Sequence, residues 1–128
     1  MNKALACLAV LPLAACATSQ SPYAPVRNIS YQAMGAEPFW NLAIGDDRIV
    51  LRSSLQEGES VWPRVLPRVS DGVRRWDSRS AAGSIAIEAR PGPCETEGEE
   101  IFEDEVSVRI EELVLTGCGG RLIRRAPR

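Results

Sequence analysis

Four cysteines, 17 carboxylates and no histidine set the chemistry open to this 128-residue chain. Without imidazole there is no histidine base, acid or metal ligand, which removes the commonest triads and zinc sites. Lys3 is the only lysine, and it falls in a segment expected to be cut away. The mature chain therefore has no lysine to form a Schiff base or serve as a general base. Serine and aspartate remain, but nothing nearby activates them as nucleophiles. So many acids could supply a glycosidase-type pair, yet no spacing fixes two of them across a cleft. The expectation is a protein that is not an enzyme and takes no cofactor.

Cys16 is the cysteine with the clearest context. Lys3 opens a short positive region, and Ala4 to Leu13 form an apolar stretch too short to span a bilayer. The stretch ends Leu13-Ala14-Ala15-Cys16, which resembles the bacterial lipobox. There a nucleophilic thiol is acylated, and small preceding residues let a peptidase reach the backbone. Lipoproteins of this pattern carry three acyl chains on the cysteine, and stable anchoring needs more than one. Ala17 at the next position is not the aspartate that retains lipoproteins at the inner membrane, so an outer-membrane lipoprotein facing the periplasm is expected in a Gram-negative cell. Residues 1–15 are then a signal peptide that includes Cys7, and residues 16–28 a lipidated, flexible tether with two prolines. Residues 29–125 form one β-domain.

Removing Lys3 leaves 14 arginines against 17 acids, a net charge of −3. This balance gives no electrostatic case for nucleic acid.

The elements that must position these groups have period two. Ile29, Tyr31 and Ala33 alternate with Ser30, Gln32 and Met34. Trp40, Leu42 and Ile44 share one face, and Gly45-Asp46-Asp47 turns the chain into Arg48–Ser53. Val61–Pro67, with two prolines, suits an edge or an extended connection. Val73–Asp77, Ser84–Ala89, Val106–Ile110 and the residues from Leu113 complete the set, with 121–124 as a short final edge. Seven to eight short strands and no amphipathic helix predict an all-β fold, a small antiparallel barrel or sandwich.

Cys94 and Cys118 are left over in an oxidising compartment, where a disulfide is the default. A reactive thiol or a metal pair are the alternatives, and two cysteines without histidine make a poor zinc site. Between them, Glu95, Glu97, Glu99, Glu100, Glu103, Asp104 and Glu105 form an acidic run. It lacks EF-hand spacing and reads as a solvated, self-repelling loop, so no metal is expected. Arg121, Arg124, Arg125 and Arg128 could pair with this run or meet anionic headgroups.

Two stretches carry a family resemblance. Tyr31-Gln32-Ala33-Met34-Gly35-Ala36-Glu37-Pro38-Phe39-Trp40 resembles the opening of a family of small, functionally uncharacterised bacterial lipoproteins. Related openings occur in lipoproteins with META or lysozyme-inhibitor-like domains. Arg90-Pro91-Gly92-Pro93-Cys94 and Thr116-Gly117-Cys118-Gly119-Gly120 resemble the same family's closing half. The resemblance implies an all-β domain with Cys94 and Cys118 bridged, and no established activity. It departs after Cys94, where Glu95-Thr96-Glu97-Gly98-Glu99-Glu100 replaces an Asp-Gly-Met-Ser-Asp-like run and Phe102 stands for a tyrosine. Glu111-Glu112 also replaces a glycine turn.

Within the first motif, Pro38 is expected to hold Glu37 extended and start a strand, and Gly35 to supply a positive φ in the preceding turn. Phe39 and Trp40 should face opposite sides, one ring filling the core. Functionally, Glu37 beside two aromatics could be a carboxylate with a raised pKa or part of a sugar-stacking patch. The functional expectation is a lipid-anchored binding or envelope-accessory module whose ligand is an envelope protein or glycan. The alternatives are an inhibitor of a wall-cleaving lysozyme and a structural envelope lipoprotein. An inhibitor needs a protruding polar loop, for which Ser78-Arg79-Ser80 is the one local candidate. The anchor is tested directly: Cys16→Ser abolishes acylation and moves the protein out of the membrane fraction, and unchanged fractionation with unchanged lipid mass refutes it.

Overall fold

A computed structural model describes residues 25–125. The proposed signal peptide, Cys16 and most of the tether lie outside these described residues.

Alternating apolar and polar side chains produce nine antiparallel strands in one sheet. They are β1 (Tyr31–Ala36), β2 (Phe39–Ile44), β3 (Arg48–Ser53), β4 (Glu59–Pro63) and β5 (Arg68–Ser70). Then follow β6 (Val73–Ser80), β7 (Gly83–Glu95), β8 (Glu100–Ile110) and β9 (Leu113–Arg125). Their order across the sheet is β4-β3-β2-β1-β9-β8-β7-β6-β5. Two meanders, each consecutive in sequence, thus meet where the first strand pairs with the last. That ladder is short, with Ala33 opposite Gly119 and Met34 opposite Cys118.

The expected all-β class is correct, with one or two more strands than the alternation suggests. The sheet curls around a single core of Tyr31, Trp40, Leu42, Ile44, Trp62, Trp76, Ile85, Ile87, Val106, Val108 and Leu115. Its ladder does not close. Side chains instead tie the β4 edge to β6 and β7: the Trp62 indole N–H donates to the Gly83 carbonyl at 2.9 Å, and Ser78 Oγ donates to the Pro63 carbonyl at 2.7 Å.

Three local expectations need correction. Ile29 precedes β1 and is exposed, because inward packing starts at Tyr31. Residues 121–124 are not a separate strand: they continue β9 past its last β1 partner, as an exposed edge paired with β8. The acidic run is a loop only in part: Glu97 and Glu99 lie on the connecting turn, whereas Glu95 ends β7 and Glu100–Glu105 belong to β8. Cross-strand arginines hold part of that run in the ladder, with Arg121 Nε 3.6 Å from Glu103 and Arg125 Nε 3.9 Å from Glu100. Of the two roles open to the terminal arginines, the structure shows pairing with the acids for these two.

Strand parity also turns one of those acids inward. Asp104 shares the face of Val106 and Val108 and is the buried charged residue of the core, 3% exposed. A buried carboxylate must be paired and hydrogen-bonded. Asp104 Oδ2 accepts from the Tyr31 hydroxyl and from the Arg74 guanidinium, both at 2.7 Å. The guanidinium lies 4.9 Å over the Tyr31 ring and 5.8 Å from that of Trp76, so aromatic faces complete its surroundings.

Burial, then the hydrogen bond to Asp104, pushes the Tyr31 hydroxyl well above the usual tyrosine range. The native state therefore holds the proton more tightly than the unfolded chain, whose tyrosine ionises near about pH 10. Stability from this group is complete below that value and drains away as pH rises through it toward the folded value. Tyr31→Phe is expected to cost about 1–3 kcal/mol at neutral pH and to lose that part of the alkaline decline. Asp104→Ala, which strands both donors, is expected to cost about 3 kcal/mol or more. Denaturant midpoints between pH 7 and 12 check both; a wild-type-like alkaline limb in Tyr31→Phe contradicts the assignment.

Candidate functional site

The Glu37-Pro38 pair is itself the turn of the β1–β2 hairpin. Ala36 stands opposite Phe39, and the Glu37-Pro38 peptide bond is cis, the geometry of a type VI turn. Gly35 is therefore not the turn residue expected from the sequence, and its φ is not positive. It lies within β1, where a Cβ would overlap the Trp40 indole nitrogen and approach the Thr116 carbonyl oxygen. Gly117 of β9 meets the same backbone from the other side, and a Cβ there would overlap the Met34 carbonyl. Two bare backbones thus touch, and through the space they leave the Trp40 indole N–H donates to the Thr116 carbonyl at 3.0 Å.

This arrangement separates the two motif aromatics as strand parity requires. Trp40 is 1% exposed in the core and Phe39 is 53% exposed outside. Glu37 is exposed at the turn with no ion pair among the described residues.

Cys94 and Cys118 form a disulfide with Cα atoms 5.5 Å apart. Strand β8 lies between their two strands in the sheet, so the bridge needs a local departure from regular pairing. Irregularities supply it: the β7–β8 register shifts between Pro91 and Cys94, and the β8–β9 register shifts around Phe102. Cross-linking residues 24 apart constrains the unfolded chain by an amount worth about 3–4 kcal/mol. The bridge also brings the Glu95–Glu100 segment to the β1–β9 seam.

There the segment forms one wall of a cleft of about 300 Å³. Met34, Gly35, Ala36 and Phe39 form the apolar side, Gly117 and Cys118 the floor, and Glu95, Glu97 and Glu100 the acidic lip. Met34, 40% exposed, joins Phe39 as a large apolar side chain on the outward face. Thr96 organises the lip. Its hydroxyl accepts the Gly98 and Glu100 amides at 3.2 Å each, and its amide donates to the Glu100 carbonyl at 2.8 Å. The carboxylates are thus presented on an ordered turn.

The structure therefore brings Gly35, Phe39 and Cys118 into one site, keeps Trp40 behind it, and holds Cys94 as the bridge that delivers its wall. Sequence reading missed Met34, Gly117 and Thr96 as parts of it; the signal available was Met34 on outward parity, following the inward Tyr31 and Ala33. Ser78-Arg79-Ser80 lies on strand β6 instead of a protruding loop, with Ser78 committed to Pro63. Cys16 lies outside the described residues.

Chemically the cleft offers apolar contact, an aromatic face and fixed negative charge. Compared with protein-family models, with curated proteins and with solved structures, the chain finds no match in any of the three.

The two aromatics separate stability from binding. Trp40→Ala empties a fully buried indole site and is expected to cost about 3–5 kcal/mol, enough to unfold or severely weaken the domain. Phe39→Ser, on the surface, is expected to change stability by less than about 0.5 kcal/mol. Thermal melts of both variants check this; a stable, folded Trp40→Ala protein overturns the assignment of Trp40 to the core.

Proposed function

We propose that the chain is a lipid-anchored, periplasm-facing binding or envelope-accessory module, tethered through Cys16 and working through the cleft beside the disulfide. The observation that carries the binding reading is the pairing of outward Phe39 and Met34 with an ordered acidic turn. Folding does not need large apolar side chains on that face, and sites that combine apolar surface with a few placed polar groups are characteristic of ligand binding. The lipobox-like Leu13-Ala14-Ala15-Cys16 and the polar, proline-containing segment after it support the anchor. The resemblance of residues 31–40 and 90–120 to small bacterial lipoproteins supports the same location. The ligand class expected there is an envelope protein or an envelope glycan, met at a membrane surface.

A photo-crosslinking residue tests the site. Placed at Phe39 in the full chain expressed in a Gram-negative host, it is expected to trap a discrete envelope component. The same residue at Val69, which is more exposed but remote on β5, is expected to trap none. Identical adducts at both positions, or none at Phe39, overturn the assignment of function to this cleft.

A further inference from the structure

We infer that the cleft takes a cationic peptide segment that carries an apolar side chain. This rests on the reading of the cleft as the binding site and names its partner class.

The apolar side fixes one half of the partner. Phe39 and Met34 present an exposed ring and an adaptable thioether. A volume of about 300 Å³ is at the small end for ligand sites, which suits one or two side chains of a longer chain.

Charge fixes the other half. Glu95 and Glu97 have no ion-pair partner among the described residues, and Glu100 meets only Arg125 Nε, at 3.9 Å. No arginine lines the cleft. An acidic or phosphorylated partner is repelled here, and a neutral glycan leaves the carboxylates unanswered. Among the described residues no three acidic or cysteine side chains converge closely enough to hold a metal ion. The carboxylates are instead spread along a turn, which matches cations spread along a chain. Each cation gains from a carboxylate, and one beside Phe39 gains also from its ring.

The test uses the full chain in detergent micelles and three labelled octapeptides: alternating arginine–leucine, alternating glutamate–leucine, and alternating arginine–serine. Fluorescence anisotropy is expected to show binding of arginine–leucine, none of glutamate–leucine, and about tenfold weaker binding of arginine–serine. Phe39→Ser and the double variant Glu95→Gln/Glu97→Gln are each expected to weaken arginine–leucine binding about tenfold. The Glu-to-Gln double variant also loses most of the salt dependence. Melting temperatures report that each variant is folded. Glu57→Gln/Glu112→Gln removes the same charge elsewhere and is expected to leave affinity unchanged. Equal loss in that control, equal binding of the acidic peptide, or unaltered affinity in the cleft variants overturns the inference. Absent peptide binding, with crosslinks at Phe39 retained, removes this partner class while leaving the binding role; absence of both removes both.

Discussion

Everything in this domain depends on how closely β1 can approach β9. The N-terminal meander β1–β4 and the C-terminal meander β5–β9 share one ladder, and it is short. Its spacing is set by absent side chains. Gly35 and Gly117 let backbone lie against backbone, and Gly119 leaves room for the Tyr31 hydroxyl, Val106 and Ala33 on the inner side. A methyl group on either Gly35 or Gly117 would displace the indole of Trp40 or the Met34 carbonyl. Close packing in the interior makes such a displacement costly, since neighbours have little room to yield.

From that seam the other features follow in order. Trp40 settles inside and donates to Thr116, so Phe39 must face out. Cys118, beside Met34 in the ladder, takes its bridge from Cys94, and the acidic turn arrives next to the exposed motif residues. On the inner face, two residues along β8 from Phe102, Asp104 gathers Tyr31 from one meander and Arg74 from the other. The two meanders are therefore held at the seam by backbone contact, in the core by apolar packing, and at one point by a shared carboxylate.

Much of the fold was legible because half-buried strands alternate. Trp40, Leu42 and Ile44, Ile85 and Ile87, and Val106 and Val108 each keep one parity, and all are buried. The cysteine pair was legible from its count and from the oxidising compartment that the lipobox-like segment led one to expect. Alternation failed between residues 95 and 105, where the outward and inward positions are both acidic and only pairing to Arg74, Arg121 and Arg125 distinguishes strand from loop. Gly35 was misread for a related reason: its role depends on β9, far away in sequence, and a glycine shortly before Glu-Pro looks like a turn. Half of the cleft was also visible, as the outward parity of Phe39 and the negative charge after Cys94. Their meeting was not, because irregular strand pairing and a disulfide produce it and neither leaves a periodic trace.

Pairing the first strand with the last also fixes when this domain can form. As a chain grows from its N-terminus, β1–β4 emerge as a meander with one apolar face, and β1 has no outer neighbour until Leu113–Arg125 appears. Loop closure over nearly the whole domain precedes the contacts that reward it, which slows folding relative to local topologies. Until β9 is made, the bare Gly35 face of β1 has no backbone to lie against, and the Trp40 indole N–H has no Thr116 carbonyl to reach.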